Sequence, residues 1–107
     1  MYTSKEDIEQ ISALMQDIQE GKISRNKNYY TLAKSKEYSR FKRAKLLISL
    51  LEDLEKTADV DKHRIQVDIK RGNREVYLYN PILKYTRKVS LSPAELELIK
   101  QKTGLLR

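Results

Sequence analysis

Cysteine is absent from this chain of 107 residues. That excludes disulfide scaffolds, thiol nucleophiles, cysteine zinc sites and iron–sulfur clusters. One histidine, His63, is too few for a histidine-rich metal site, and tryptophan is missing. Three glycines and two prolines are fewer than a disordered or low-complexity segment carries. Gly72 and Gly104 are isolated turn glycines, so there is no glycine loop to cradle a phosphate, and no serine lies in a nucleophile-elbow pattern. No stretch approaches the ~18 apolar residues of a membrane span. The opening Met-Tyr-Thr-Ser-Lys-Glu-Asp has no signal-peptide core. Glu52, Asp53 and Glu55 fall on the outer face of a leucine-rich helix, where solvated charge accounts for them. These absences lead to the expectation of one soluble, cytoplasmic domain over 1–107, non-enzymatic, with no metal, cofactor or small-molecule substrate and no membrane partner.

Charge is abundant and segregated. Residues 22–45 hold nine basic residues against Glu37 alone, a local net charge of +8 in a chain of +7. Residues 1–21 and residues 46–61 each hold one lysine and five acids, −4 apiece. A second basic cluster spans residues 62–90, with eight basics against Asp68 and Glu75, net +6. Clusters of this kind attract polyanions.

Hydrophobic spacing predicts an α+β chain. Ile8, Ile11, Met15 and Ile18 form one helical stripe that starts near Ser4, with capping-box spacing, and ends at Gly21. From about Tyr30 to Lys56 there is no helix breaker. Phe41, Ala44, Leu47, Ile48, Leu51 and Leu54 define a broad apolar face; one long helix, or two with a turn near 35–39 and Ser39 as N-cap, both fit. Ile65, Val67 and Ile69 alternate with polar residues and lead to Gly72-Asn73. That pair reads as a two-residue hairpin loop with Arg71 facing Arg74, Ile69 facing Val76 and Val67 facing Leu78. A third strand is expected across 83–90. Ser92-Pro93-Ala94-Glu95 starts a short C-terminal helix, with Gly104 closing it and Leu105 packing back on Ile99.

The functional expectation follows the charge. Lys34, Lys36, Arg40, Lys42, Arg43 and Lys45 on the second helix, with Lys70, Arg71 and Arg74 at the hairpin tip, are the candidate phosphate contacts to DNA or RNA. The second helix also runs against its own macrodipole, with bases early and acids late, an order that suits anion binding better than stability. A basic helix beside a basic hairpin is similar to the winged-helix arrangement. Within Tyr30–Leu46 the usual turn glycine is absent, and Arg43 sits where that layout wants an apolar residue. Tyr77 and Tyr79, on the polar hairpin face, are expected to pack against a helix, with base stacking as the alternative if they face solvent. Two other accounts compete. The acidic first segment can neutralise the basic face, and the Leu46, Leu47, Leu50, Leu51, Leu54 surface can serve an adaptor that forms a homodimer or joins a protein complex.

Overall fold

A computed structural model describes residues 4–24, 36–58, 65–80 and 85–104. Its elements run α1 (Lys5–Gln19), α2 (Lys36–Ala58), β1 (Ile65–Lys70), β2 (Asn73–Asn80), β3 (Tyr85–Leu91) and α3 (Pro93–Lys102). The fold is α+β, with an antiparallel sheet in the order β1-β2-β3. Ser4 caps α1 by accepting from the Asp7 amide at 3.1 Å. Gly21, with φ +78°, follows the C-cap residue Glu20. Ser92 and Glu95 form the reciprocal capping box of α3: the Glu95 amide donates to Ser92 Oγ at 3.2 Å, and the Ser92 amide to Glu95 Oε1 at 2.9 Å. Thr103 is the C-cap of α3, and Leu105 lies outside the described residues.

From Lys36 onward α2 is unbroken, so Ser39 is an interior helical residue and not an N-cap. Residues 30–35, over which a preceding helix and turn were tested, lie outside the described residues. Burial explains the continuity. Phe41, Ala44, Leu47, Ile48, Leu50, Leu51 and Leu54 are all buried, because α2 packs on α1 along one flank and on β1 and β2 along the other. Ile11, Met15 and Ile18 of α1, Val76 and Leu78 of β2, Val89 and Leu91 of β3, and Leu96, Leu98 and Ile99 of α3 complete the core. The leucine surface expected to recruit a partner is therefore internal, and Leu46 is half-buried against the same core.

The hairpin keeps the expected faces but not the expected loop. The two loop residues are Arg71 and Gly72, so that Lys70 pairs with Asn73, Ile69 with Arg74, Val67 with Val76 and Ile65 with Leu78. Both loop residues have positive φ, +54° and +81°, the φ signature of a type I′ turn, whose second position favours glycine. Moving the loop back one residue shifts every pair by two positions, so side-chain parity survives. The penalty falls at the tip, where Ile69 meets Arg74 and is 75% exposed.

Three arginines fasten the layers. Arg43 crosses from α2 to α3 and β3: its Nε and Nη2 form a bidentate pair with Glu95, the Nη2 bond being 2.8 Å, and Nη2 also donates to the Ser90 carbonyl at 2.7 Å. Glu95 is 0% exposed, and each of its oxygens accepts from a neighbouring donor. Arg40 binds Asp7 of α1 at 2.8 Å and approaches Glu6 at 3.8 Å. Arg87 on the helix-facing side of β3 pairs with Asp53 and donates to Ser49 Oγ at 3.2 Å.

Removing one member of a buried ion pair leaves the other charge uncompensated, typically at about 3–5 kcal/mol. Arg43→Ala is expected to lower the unfolding free energy by about 3 kcal/mol in urea titration, whereas Lys42→Ala changes it by less than about 0.5 kcal/mol. Arg43→Lys recovers only part of the loss, because an ammonium cannot reproduce the planar fork. At the turn, Arg71→Asn is expected to raise stability by about 0.5–1 kcal/mol in the same titration, since asparagine tolerates positive φ better than arginine.

Candidate nucleic-acid interface

Helical geometry divides the bases of α2 into two classes. Arg40 and Arg43 lie on flanks that meet α1 and α3, and both are engaged by carboxylates. Lys42, exposed, and Lys45, half-buried, lie on a stripe with Tyr38 that leads to Ser49, where α2 meets Arg87 of β3. Lys42 Nζ stands 5.3 Å from the centre of the Tyr38 ring, and Lys45 Nζ stands 5.5 Å from that of Phe41. Those cation–π contacts align the side chains along the helix without neutralising them. A shallow depression of about 420 Å³, lined by Ser39, Lys42, Arg43 and Leu46, adjoins this stripe. Of Lys36 only the backbone, at the first position of α2, is described; Lys34 lies outside the described residues.

At the hairpin tip Lys70 and Arg71 are exposed. Arg74 is half-buried and folds over the turn, donating to the carbonyls of Gly72 at 3.3 Å and Asn73 at 3.4 Å. Among the described residues Lys42, Lys45, Lys70, Arg71 and Arg74 form no ion pair with a carboxylate. Arg40 and Arg43, expected from the sequence as phosphate contacts, have Asp7 and Glu95 as counterions and join α2 to α1 and α3. Long-range pairing of this kind leaves no local trace in a sequence. The one signal was Arg43 itself, a charge standing at a position where an apolar residue was expected.

The two basic clusters lie at one end of the molecule. Arg43 reaches Ser90; in the strand register Ser90 faces Glu75, and Leu91 faces Arg74. The basic half of α2 therefore crosses the sheet at its tip end. Its acidic half crosses at the other, where Asp53 meets Arg87. Segregation along the chain becomes segregation in space.

The sheet face turned away from the helices carries Tyr77 and Tyr79. The expected packing of these tyrosines against a helix is thus replaced by an outward position, with Tyr79 38% exposed. The Tyr77 hydroxyl donates to Glu75 Oε2 at 2.6 Å, and Lys88 lies 3.8 Å from the same carboxylate. Lys88 pairs with Glu75 and Asp68 adds a further negative charge, so away from Lys70 at the tip this face has little net attraction for phosphate. His63, Asp59 and Asp61 lie outside the described residues, and no cluster of metal-ligating side chains occurs among the described ones. Nor is any described helix long and apolar enough to cross a membrane.

No protein-family model, curated protein or solved structure matches the chain, so the interface rests on its own geometry.

The Tyr77 hydroxyl holds the Glu75 carboxyl below the usual carboxylate range, with Lys88 and Lys70 adding to the effect. Glu75 in turn pushes the Tyr77 hydroxyl above the usual phenol range. The depressed carboxyl contributes stability above its unfolded pKa, lost as pH falls through the lower folded value; the raised phenol contributes below its unfolded pKa, lost as pH rises through the higher folded value. The bond therefore persists across neutral pH. In Tyr77→Phe the Glu75 carboxyl is expected to titrate at higher pH than in the parent, as measured by carbon-detected NMR. An unchanged midpoint shows that the hydroxyl does not set it.

Proposed function

We propose that this protein is a small, non-enzymatic nucleic-acid-binding protein. It grips phosphates at its basic end through Lys42 and Lys45 of α2 and Lys70, Arg71 and Arg74 of the hairpin tip, with Lys34 and Lys36 as further contacts expected from the sequence. The observation that carries this reading is the meeting of two sequence-distant basic clusters at one end of the fold, while Asp7, Glu95 and Asp53 are drawn onto Arg40, Arg43 and Arg87. Arg71 adds support. It occupies a left-handed turn position that asparagine or glycine fills with less strain, and such strain concentrates where a side chain has a task. The contacts are to the backbone, and a basic helix beside a basic hairpin suits the winged-helix mode of docking on a duplex. The cytoplasm, where nucleic acid is accessible, is the location this reading favours.

With Arg40 and Arg43 removed from the contact set, Lys42, Lys45, Lys70 and Arg71 neutralise about four phosphates, and Arg74 contributes less because it is folded onto the turn carbonyls. The logarithm of affinity should then fall with log salt at a slope near −3.6, roughly a hundredfold loss between 50 and 200 mM. Binding to duplex DNA, single-stranded DNA and RNA across that salt range tests it. Lys42→Gln, Lys45→Gln, Lys70→Gln and Arg71→Gln are each expected to reduce the slope by about one, with the fold intact by circular dichroism. A flat salt response, or unaltered binding by the quadruple variant, overturns the reading.

A further inference from the structure

Among the described residues β1 is the less guarded edge of the sheet, with one lysine, Lys70, at its turn end. Edge strands are normally blunted by lysine, proline, bulges or inward charges. The opposite edge, β3, carries Lys88 and the inward-turned Arg87. Across Ile65–Lys70 there is no proline, glycine or bulge, and the pairing with β2 is continuous. Gln66 through Lys70 are all exposed. Val67 at 36% and Ile69 at 75% are the two large aliphatic side chains left exposed among the described residues, and both lie on this strand.

The turn fixes which backbone groups face outward. Lys70 and Asn73 flank a two-residue loop, so Gln66, Asp68 and Lys70 exchange hydrogen bonds with β2. The N–H and C=O groups of Ile65, Val67 and Ile69 point to the open edge, beside the exposed apolar side chains.

We propose that two copies of this chain associate through β1, antiparallel about a two-fold axis at Val67, joining the two sheets into one of six strands. Over Ile65–Ile69 the strand is complementary to itself in this register. Val67 meets the partner's Val67, and the exposed Ile69 covers the partner's Ile65, which is half-buried at the core margin. Gln66, an amide donor, faces the partner's Asp68, an acceptor. Gln66 Nε2 already donates to Asp68 Oδ1 within the strand at 3.1 Å, so the pair has the reach for the exchange. Every outward backbone group then gains a partner. A register shifted one pair toward the turn sets Asp68 against the partner's Asp68, which like-charge repulsion disfavours, and the opposite shift sets Gln66 against Gln66 and forfeits both amide–carboxylate pairs. The contact is isologous and closes on itself.

Sedimentation equilibrium of the whole chain without nucleic acid, from micromolar to millimolar concentration, tests the proposal. The mass is expected to rise from 12.6 kDa toward twice that value. Added salt should strengthen the association by screening the +7 charge of each copy, the reverse of its effect on phosphate binding. Ile69→Lys should raise the dimer dissociation constant at least about tenfold without loss of fold, because the side chain is already exposed. Amide exchange should slow at Ile65, Val67 and Ile69 as concentration rises, and stay constant at Gln66, Asp68 and Lys70. Because the chain lacks cysteine, Val67→Cys should oxidise to a covalent dimer, and Thr86→Cys on β3 should not. A monomer at every concentration, an unaffected Ile69→Lys dimer, or equal cross-linking at both cysteines overturns the proposal. So does a monomer that instead takes up an extended peptide along β1.

Discussion

The bond between Arg43 and Glu95 sets the arrangement on which everything else rests. Glu95 is wholly enclosed, and its carboxylate serves two structures at once, closing the cap of α3 and receiving the guanidinium of α2. The same guanidinium reaches the Ser90 carbonyl, so one side chain fixes the angle between the central helix, the last strand and the last helix. A buried pair of this kind gains little over an apolar contact of equal volume, because desolvation offsets much of the attraction. Its value lies in position. An apolar contact tolerates sliding, whereas a two-pronged bond with a backbone acceptor beside it admits one crossing of α2 over the sheet.

Basic residues divide by chemistry as well as by place. Arg40, Arg43 and Arg87 are all turned onto carboxylates of other elements, while Lys42 and Lys70 stand in solvent and Lys45 lies along Phe41. The guanidinium fork suits fixed, directional joints, and the hydrated ammonium suits an adaptable contact. Arg71, exposed at the apex of the turn, Arg74, folded onto turn carbonyls, and Lys88, beside Glu75, depart from this division. A reading of charge by sign alone merges the two classes and overstates the contact surface.

Much of the architecture was legible because its signals are local. Ser4, Gly21 and the Ser92–Glu95 box define helix ends within one turn of chain, and the alternation from Ile65 to Ile69 defines the faces of the hairpin wherever its loop falls. The loop itself was misplaced by one residue because Gly72-Asn73 and Arg71-Gly72 share the same glycine. Only the demand of a type I′ turn for glycine in second place separates them. Pairing of α1 with Arg40, α3 with Arg43 and Asp53 with Arg87 spans 33, 52 and 34 residues. Nothing local marks such partners. Tyr77 and Tyr79 were misjudged for a related reason: a sheet with helices on one side leaves its other side open, and which side stays bare depends on where α2 and α3 dock.

The order of charge along α2 has one more consequence. Lys42 and Lys45 lie toward one end of this helix and Glu52 and Glu55 toward the other, the two pairs centred about 15 Å apart at the usual rise per residue. The body thus carries a permanent electric moment along its central rod, reinforced at the positive pole by the hairpin apex. An approaching polyanion exerts a torque on it before touching it, turning the cationic pole forward and the anionic pole away. On the proposed function, this biases orientation in flight and turns collisions that begin from the wrong side toward productive ones.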